Sequence, residues 1–168
     1  MHALWSGAAI VVLCMSLIGC AASPRQRPLD IGPIETGPGS LTATRKQLEG
    51  TWTLKTLQLV DRAGALRTVT AKGNLTYDEF SNMVIRGVVE DESVNGKLAL
   101  DFTGRIEIDP SRREFRPADL VSKTPASTPY AGPIPLDTVR QYQLTPTTFT
   151  VFYFDAAGKS VAIAVWNR

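Results

Sequence analysis

The 168-residue chain has one histidine and two cysteines, His2, Cys14 and Cys20, and neither type recurs between Ala21 and Arg168. A domain built from that remainder has no internal disulfide, no His/Cys zinc site and no His-ligated haem. It also has no Ser-His-Asp or Cys-His catalytic set. No metal and no cofactor is therefore expected. Excess charge of one sign is missing too: 18 Lys and Arg stand against 16 Asp and Glu. Without a basic block, nucleic acid is not an expected partner. No apolar run reaches the roughly 20 residues that a membrane-spanning helix needs.

What is present begins at the N-terminus. Residues Met1 to Gly19 contain no Lys, Arg, Asp or Glu, and Ala8 to Ile18 is almost continuously apolar. This is the length of a signal h-region, too short for a span. Leu17-Ile18-Gly19-Cys20 follows it directly and resembles the bacterial lipobox: an aliphatic residue, a tolerant position, a small residue, then cysteine. Gly19 lets a peptidase approach the backbone, and the Cys20 thiol is the nucleophile that takes the diacylglyceryl group. The resemblance implies a signal peptide over 1–19 and a chain held to a membrane by lipid on Cys20. The n-region departs from the pattern, since its positive charge comes only from the α-amino group and His2. Ala21 and Ala22, with no Asp after the cysteine, resemble the sorting context of the outer membrane, facing the periplasm. Several acyl chains, palmitate among them, would anchor firmly where one alone is marginal.

Residues 20–41 are rich in Pro and Gly and have no period, which predicts a flexible tether. Leu41 to Leu48 reads as one or two helical turns, with Thr42 or Thr44 as N-cap and Gly50 ending them. From there the period is two. Leu98, Leu100, Phe102, Gly104, Ile106 and Ile108 alternate with polar neighbours without a slip, one bent strand or two, with Gly104 the place for a kink. Further strands are predicted at Thr51–Val60, Asn74–Tyr77, Asn82–Val89, Arg113–Arg116, Thr138–Leu144, Thr148–Phe154 and Val161–Asn167. Turn signals at Asp61–Gly64, Asp78–Ser81, Thr145-Pro146 and Asp155–Gly158 separate several of them. Pro117 to Pro135 reads as a long loop or lid. The expected fold is all-β: an antiparallel up-and-down barrel of about eight strands over 42–168, preceded by a short helix.

Leu48-Glu-Gly50-Thr-Trp52-Thr-Leu54 contains the Gly-x-Trp opening of lipocalins and other calycins. Gly73-Asn-Leu-Thr-Tyr77-Asp78, Phe102 to Asp109, Arg140-x-Tyr142-x-Leu144 and the closing Trp166-x-Arg168 follow in the order seen in bacterial lipocalin-like domains. The chain resembles that family from Leu48 to Arg168. It departs at Arg113-Glu-Phe-Arg-Pro117, where many members carry a histidine, so no function resting on that imidazole is expected. The resemblance implies that Gly50, Trp52 and Arg168 close the barrel. In an even-stranded up-and-down barrel the end of the last strand also lies beside the start of the first. That alone brings the Arg168 guanidinium to the Trp52 indole face and to nearby carbonyls.

Candidate cavity residues are Tyr77, Phe102, Tyr142, Tyr153 and Ala164, against the alternative of a core filled by the same side chains. The phase of Ala162 and Ala164 stays open, because Val161, Ile163 and Val165 compete for the same face. Glu90-Asp-Glu92 and Asp78-Glu79 read as solvated turns rather than cation sites. Arg112, Arg113 and Arg116 are too few to argue for lipid headgroups. Asp101 and Glu107 lie on the polar face of their strand, and no catalytic residue is assigned. The leading expectation is a binding module for a small apolar ligand. The alternatives are an interaction protein with a filled barrel that docks through the proline-rich loop, and an enzyme acting on a lipid-like substrate.

Overall fold

The computed structural model describes residues 37–94, 96–123, 134–136 and 138–168. The proposed signal peptide, Cys20, most of the tether and much of the proline-rich segment lie outside them.

Chain order begins with α1 (Leu41–Leu48), β1 (Gly50–Val60), β2 (Leu66–Tyr77) and β3 (Asn82–Asp91). After a short 3-10 turn come β4 (Gly96–Asp109), β5 (Glu114–Ser122), β6 (Arg140–Leu144), β7 (Thr148–Phe154) and β8 (Ser160–Asn167). Each strand pairs antiparallel with the next, and β8 pairs with β1, so the sheet is a closed eight-stranded barrel. Among the described residues, no helix is long and apolar enough to cross a membrane.

Three of the described turns share one device. Asp61, Asp78 and Asp155 each aim Oδ1 at the backbone N–H groups two and four residues on. These Asx turns fix hairpin geometry. The cap of α1 differs from expectation: Ser40, not Thr42 or Thr44, accepts from the Ala43 N–H. Thr44 is instead turned inward and buried.

β4 is a single strand, and its pairing with β5 shifts register between Thr103 and Arg105, around Gly104. A Cβ on Gly104 would lie 2.8 Å from Leu120 Cδ2 and 3.0 Å from the Ala118 carbonyl. β2 is longer than the predicted Asn74–Tyr77. Its inward positions Val69, Ala71 and Gly73 alternate faithfully with polar residues, but small side chains give a weak hydrophobic signal.

The larger correction concerns the proline-rich segment. Pro117 and the residues through Ser122 are strand, not loop. Pro117 pairs with Ile106 on the β4 side. On the other side β6 pairs only Gln141 with Glu114 and Arg140 with Phe115. Pro117 therefore lies past the end of the β5–β6 ladder, where a missing donor breaks no hydrogen bond. Among the described residues β5 pairs beyond Phe115 with β4 but not with β6, so the β5–β6 seam has the shortest ladder of the barrel.

Candidate functional site

One end of the barrel is closed by aromatic packing. Phe149 is fully buried, with ring centroids 5.8 Å from Trp52, 6.1 Å from Tyr77, 6.1 Å from Phe115 and 6.2 Å from Tyr142. Below it, the Trp52 Nε1–H donates to the Leu48 carbonyl at 2.8 Å, tying the barrel floor to the last turn of α1. The Arg168 guanidinium lies 4.4 Å over the Trp52 ring. It donates from Nε to the Pro146 carbonyl at 2.8 Å and from Nη1 to the Glu49 carbonyl at 3.0 Å. Gly50, at φ +112°, takes a conformation that favours glycine at the helix-to-strand junction.

The five candidate cavity residues are all buried: Tyr77, Phe102, Tyr142, Tyr153 and Ala164. The phase of β8 is now fixed, with Ala162, Ala164 and Trp166 facing the core and Val161, Ile163 and Val165 only partly covered. Ala164 stands between Leu57 on β1 and Val151 on β7. Asp101 pairs at 3.6 Å with the exposed Arg86, and Glu107 is exposed, so neither β4 carboxylate belongs to the interior.

The other wall is less filled. Across β2, β3 and β4 the register sets Ala71 beside Val89 and Leu98, Gly73 beside Gly87 and Leu100, and Leu75 beside Ile85 and Phe102. Ala71, Ile85, Leu98, Leu100 and, on β5, Leu120 pack against the core yet remain partly accessible. The paired glycines have a backbone reason. A Cβ would lie 2.8 Å from the Arg86 carbonyl at Gly73 and 2.7 Å from the Lys72 carbonyl at Gly87. The two strands cross too closely for side chains at Gly73 and Gly87, which leaves Leu100 of β4 to cover the wall at that level.

Sequence reasoning missed one interior group. Arg140 is only 3% exposed. Its guanidinium carbon sits 4.8 Å over the Tyr153 ring and 5.8 Å over the Phe115 ring. Nη2 donates to the Pro135 and Leu136 carbonyls at 3.3 and 3.1 Å. Nε is enclosed and has no hydrogen-bond partner. The signal was available, because Arg140-x-Tyr142-x-Leu144 puts a cation on the same strand face as two apolar residues.

Two phenols share that space. Burial raises Tyr77 well above the ordinary value of 10.0 and raises Tyr153 as well, while the Arg140 cation pulls both the other way. The folded state thus holds these protons more tightly than the unfolded chain. The associated stability is complete below about pH 10 and is lost as pH rises above it. Melting temperature should therefore fall above about pH 10, with the tyrosinate absorbance of Tyr77 and Tyr153 appearing only as the barrel unfolds. A Tyr77→Phe/Tyr153→Phe variant with the same alkaline decline would assign the effect to other groups.

No family model matches the chain, and no curated protein matches it. Among solved structures, a redesigned β-barrel is similar over 77% of this chain and 97% of its own, at 14% identity and a TM-score of 0.41.

Proposed function

We propose that this chain is a lipid-anchored envelope protein, of the lipocalin-like kind, whose barrel binds a small apolar ligand. The observation that carries the reading is the partly accessible apolar wall of Ala71, Ile85, Leu98, Leu100 and Leu120 beside the bare Gly73–Gly87 pair. A core packed to its usual density leaves no such apolar surface unsatisfied on an inward face. Binding is favoured over catalysis because, among the described residues, the inward groups are mostly apolar and no pair of carboxylates faces Arg140 and the buried tyrosines. Anchoring rests on the lipobox at Cys20, and placement in the outer membrane on Ala21 and Ala22.

Both halves of the proposal meet in one experiment. The Cys20→Ser variant is expected to lose its acyl groups and leave the membrane fraction while the domain stays folded. Purified from its own envelope and examined by native mass spectrometry, it should carry the added mass of a small molecule that organic solvent extracts. Continued membrane association without lipid would refute the anchor. A bare chain from every preparation would point to a filled barrel and an interaction role.

A further inference from the structure

The turns of an up-and-down barrel divide between its two ends. Gly50 pairs with Tyr77, which puts the β2–β3 turn beside the junction of α1 and β1. The Arg168 bond to the Pro146 carbonyl brings the β6–β7 turn to the same end. There the β2–β3 turn presents Phe80, 66% exposed and the most exposed large hydrophobic side chain among the described residues. The backbone around it is pinned. The Asp78 carboxylate accepts from the Phe80 and Asn82 N–H groups at 2.9 and 2.8 Å, and from Asn82 Nδ2 at 2.6 Å. Ser81 takes φ +67°, a left-handed conformation that is costly for a residue with a Cβ. Its carbonyl accepts from the Ile106 N–H at 3.0 Å, fixing the turn to β4. The tight turns at the opposite end, 61–65 and 155–158, carry only Asp, Arg, Ala and Gly.

We propose that the β2–β3 turn is a membrane-docking tip, with Phe80 entering the phospholipid surface that holds the lipid on Cys20 and the barrel standing on its α1 end. This rests on the lipid anchor of the proposed function and adds the orientation of the domain. Single exposed apolar side chains are common, but this one stands where the anchored chain enters. That chain joins the barrel through α1, at the Phe80 end. At roughly 3.3–3.6 Å per residue, Cys20 can lie no further than about 75 Å from Leu41. Such a tether makes surface contact an intramolecular event, at an effective concentration of about millimolar. One phenyl ring is too weak to hold a free protein on a bilayer. In a tethered one, its burial weights the docked orientation by about ten- to a hundredfold. Charge is not the driving force. Arg112 and Arg113 on the neighbouring β4–β5 turn share this end with Asp78, Glu79 and Asp109, so a zwitterionic phosphatidylcholine surface suffices.

The test is tryptophan fluorescence of two variants, Phe80→Trp and Leu66→Trp, the second exposed at the opposite end of the barrel. Trp52 and Trp166 are buried and give a constant background. Each chain is purified from membranes, weighed by mass spectrometry for its acyl groups, and reconstituted into phosphatidylcholine vesicles brominated on the upper acyl-chain carbons. The Phe80→Trp emission should shift to the blue and be quenched by the bromines, while Leu66→Trp should show neither. The quenching should persist in about 1 M salt, where interactions between surface charges are screened. An acylated, vesicle-bound Phe80→Trp chain without quenching overturns the docking tip and leaves the anchor standing. Quenching of Leu66→Trp instead would set the opposite end on the membrane and overturn the proposed orientation. A blue shift of Phe80→Trp in native envelope fragments, without quenching in the vesicles, would assign Phe80 to a protein partner and overturn the lipid contact. Chains recovered without acyl groups overturn the anchor and the docking with it.

Discussion

Replacing Trp52 by alanine is expected to destabilise the barrel by about 3–5 kcal/mol, the range for deleting a large buried aromatic. Three losses combine. The indole is fully buried against Phe149, so its removal leaves a void at the centre of the aromatic floor. The Leu48 carbonyl loses its donor at 2.8 Å, freeing the last turn of α1. The Arg168 guanidinium loses the face it covers at 4.4 Å, although its bonds to Pro146 and Glu49 remain. Arg168→Ala alone should cost less, because the side chain is exposed and its contacts are shared with water. In urea denaturation the double variant should be less destabilised than the sum of the two singles, by about 0.5–1 kcal/mol. Additivity to within about 0.3–0.5 kcal/mol would mean that the stacked pair contributes nothing of its own. Trp52→Phe should recover most of the packing but not the Leu48 bond, which separates the void from the lost donor.

How much of this was legible in the sequence depended on contrast between the two faces of each strand. β4 alternates large apolar with charged residues, and its single-strand character and the irregularity at Gly104 could be read directly. β2 alternates just as strictly, but Ala71 and Gly73 are too small to register as an apolar face, so only its last third stood out. β8 was expected as a strand, but its inward face stayed open for the opposite reason. Val161, Ile163 and Val165 are as apolar as Ala162, Ala164 and Trp166, and only the pairing with β1 and β7 fixes which set faces inward. β5 was hidden by composition: prolines suggest loops, and Pro117 is tolerated because β6 begins too late to pair with it. Arg140 was visible by parity but not by chemistry. A charge on an apolar face is usually taken as an error of phase, and only its burial over Tyr153 and Phe115 shows it to be interior.

Ala164→Phe should block binding of an uncharged apolar fluorophore such as phenylnaphthylamine while leaving the melting temperature close to wild type. Ala164 is 1% exposed and faces inward between Leu57 and Val151, with Ala162 next along the same face. A benzyl group placed there extends into the barrel toward the space that the β2–β4 wall leaves uncovered. If a cavity occupies that space, the ring buries apolar surface at little cost and competes directly with the probe. If side chains already fill it, the ring must displace them, and overpacking costs about 1–3 kcal/mol. For a domain of this size that lowers the melting temperature by several degrees. The two interiors therefore differ in sign on two independent measurements. Strong destabilisation by Ala164→Phe, with no probe bound even to wild type, would show a barrel packed solid. The interaction role would then replace ligand binding.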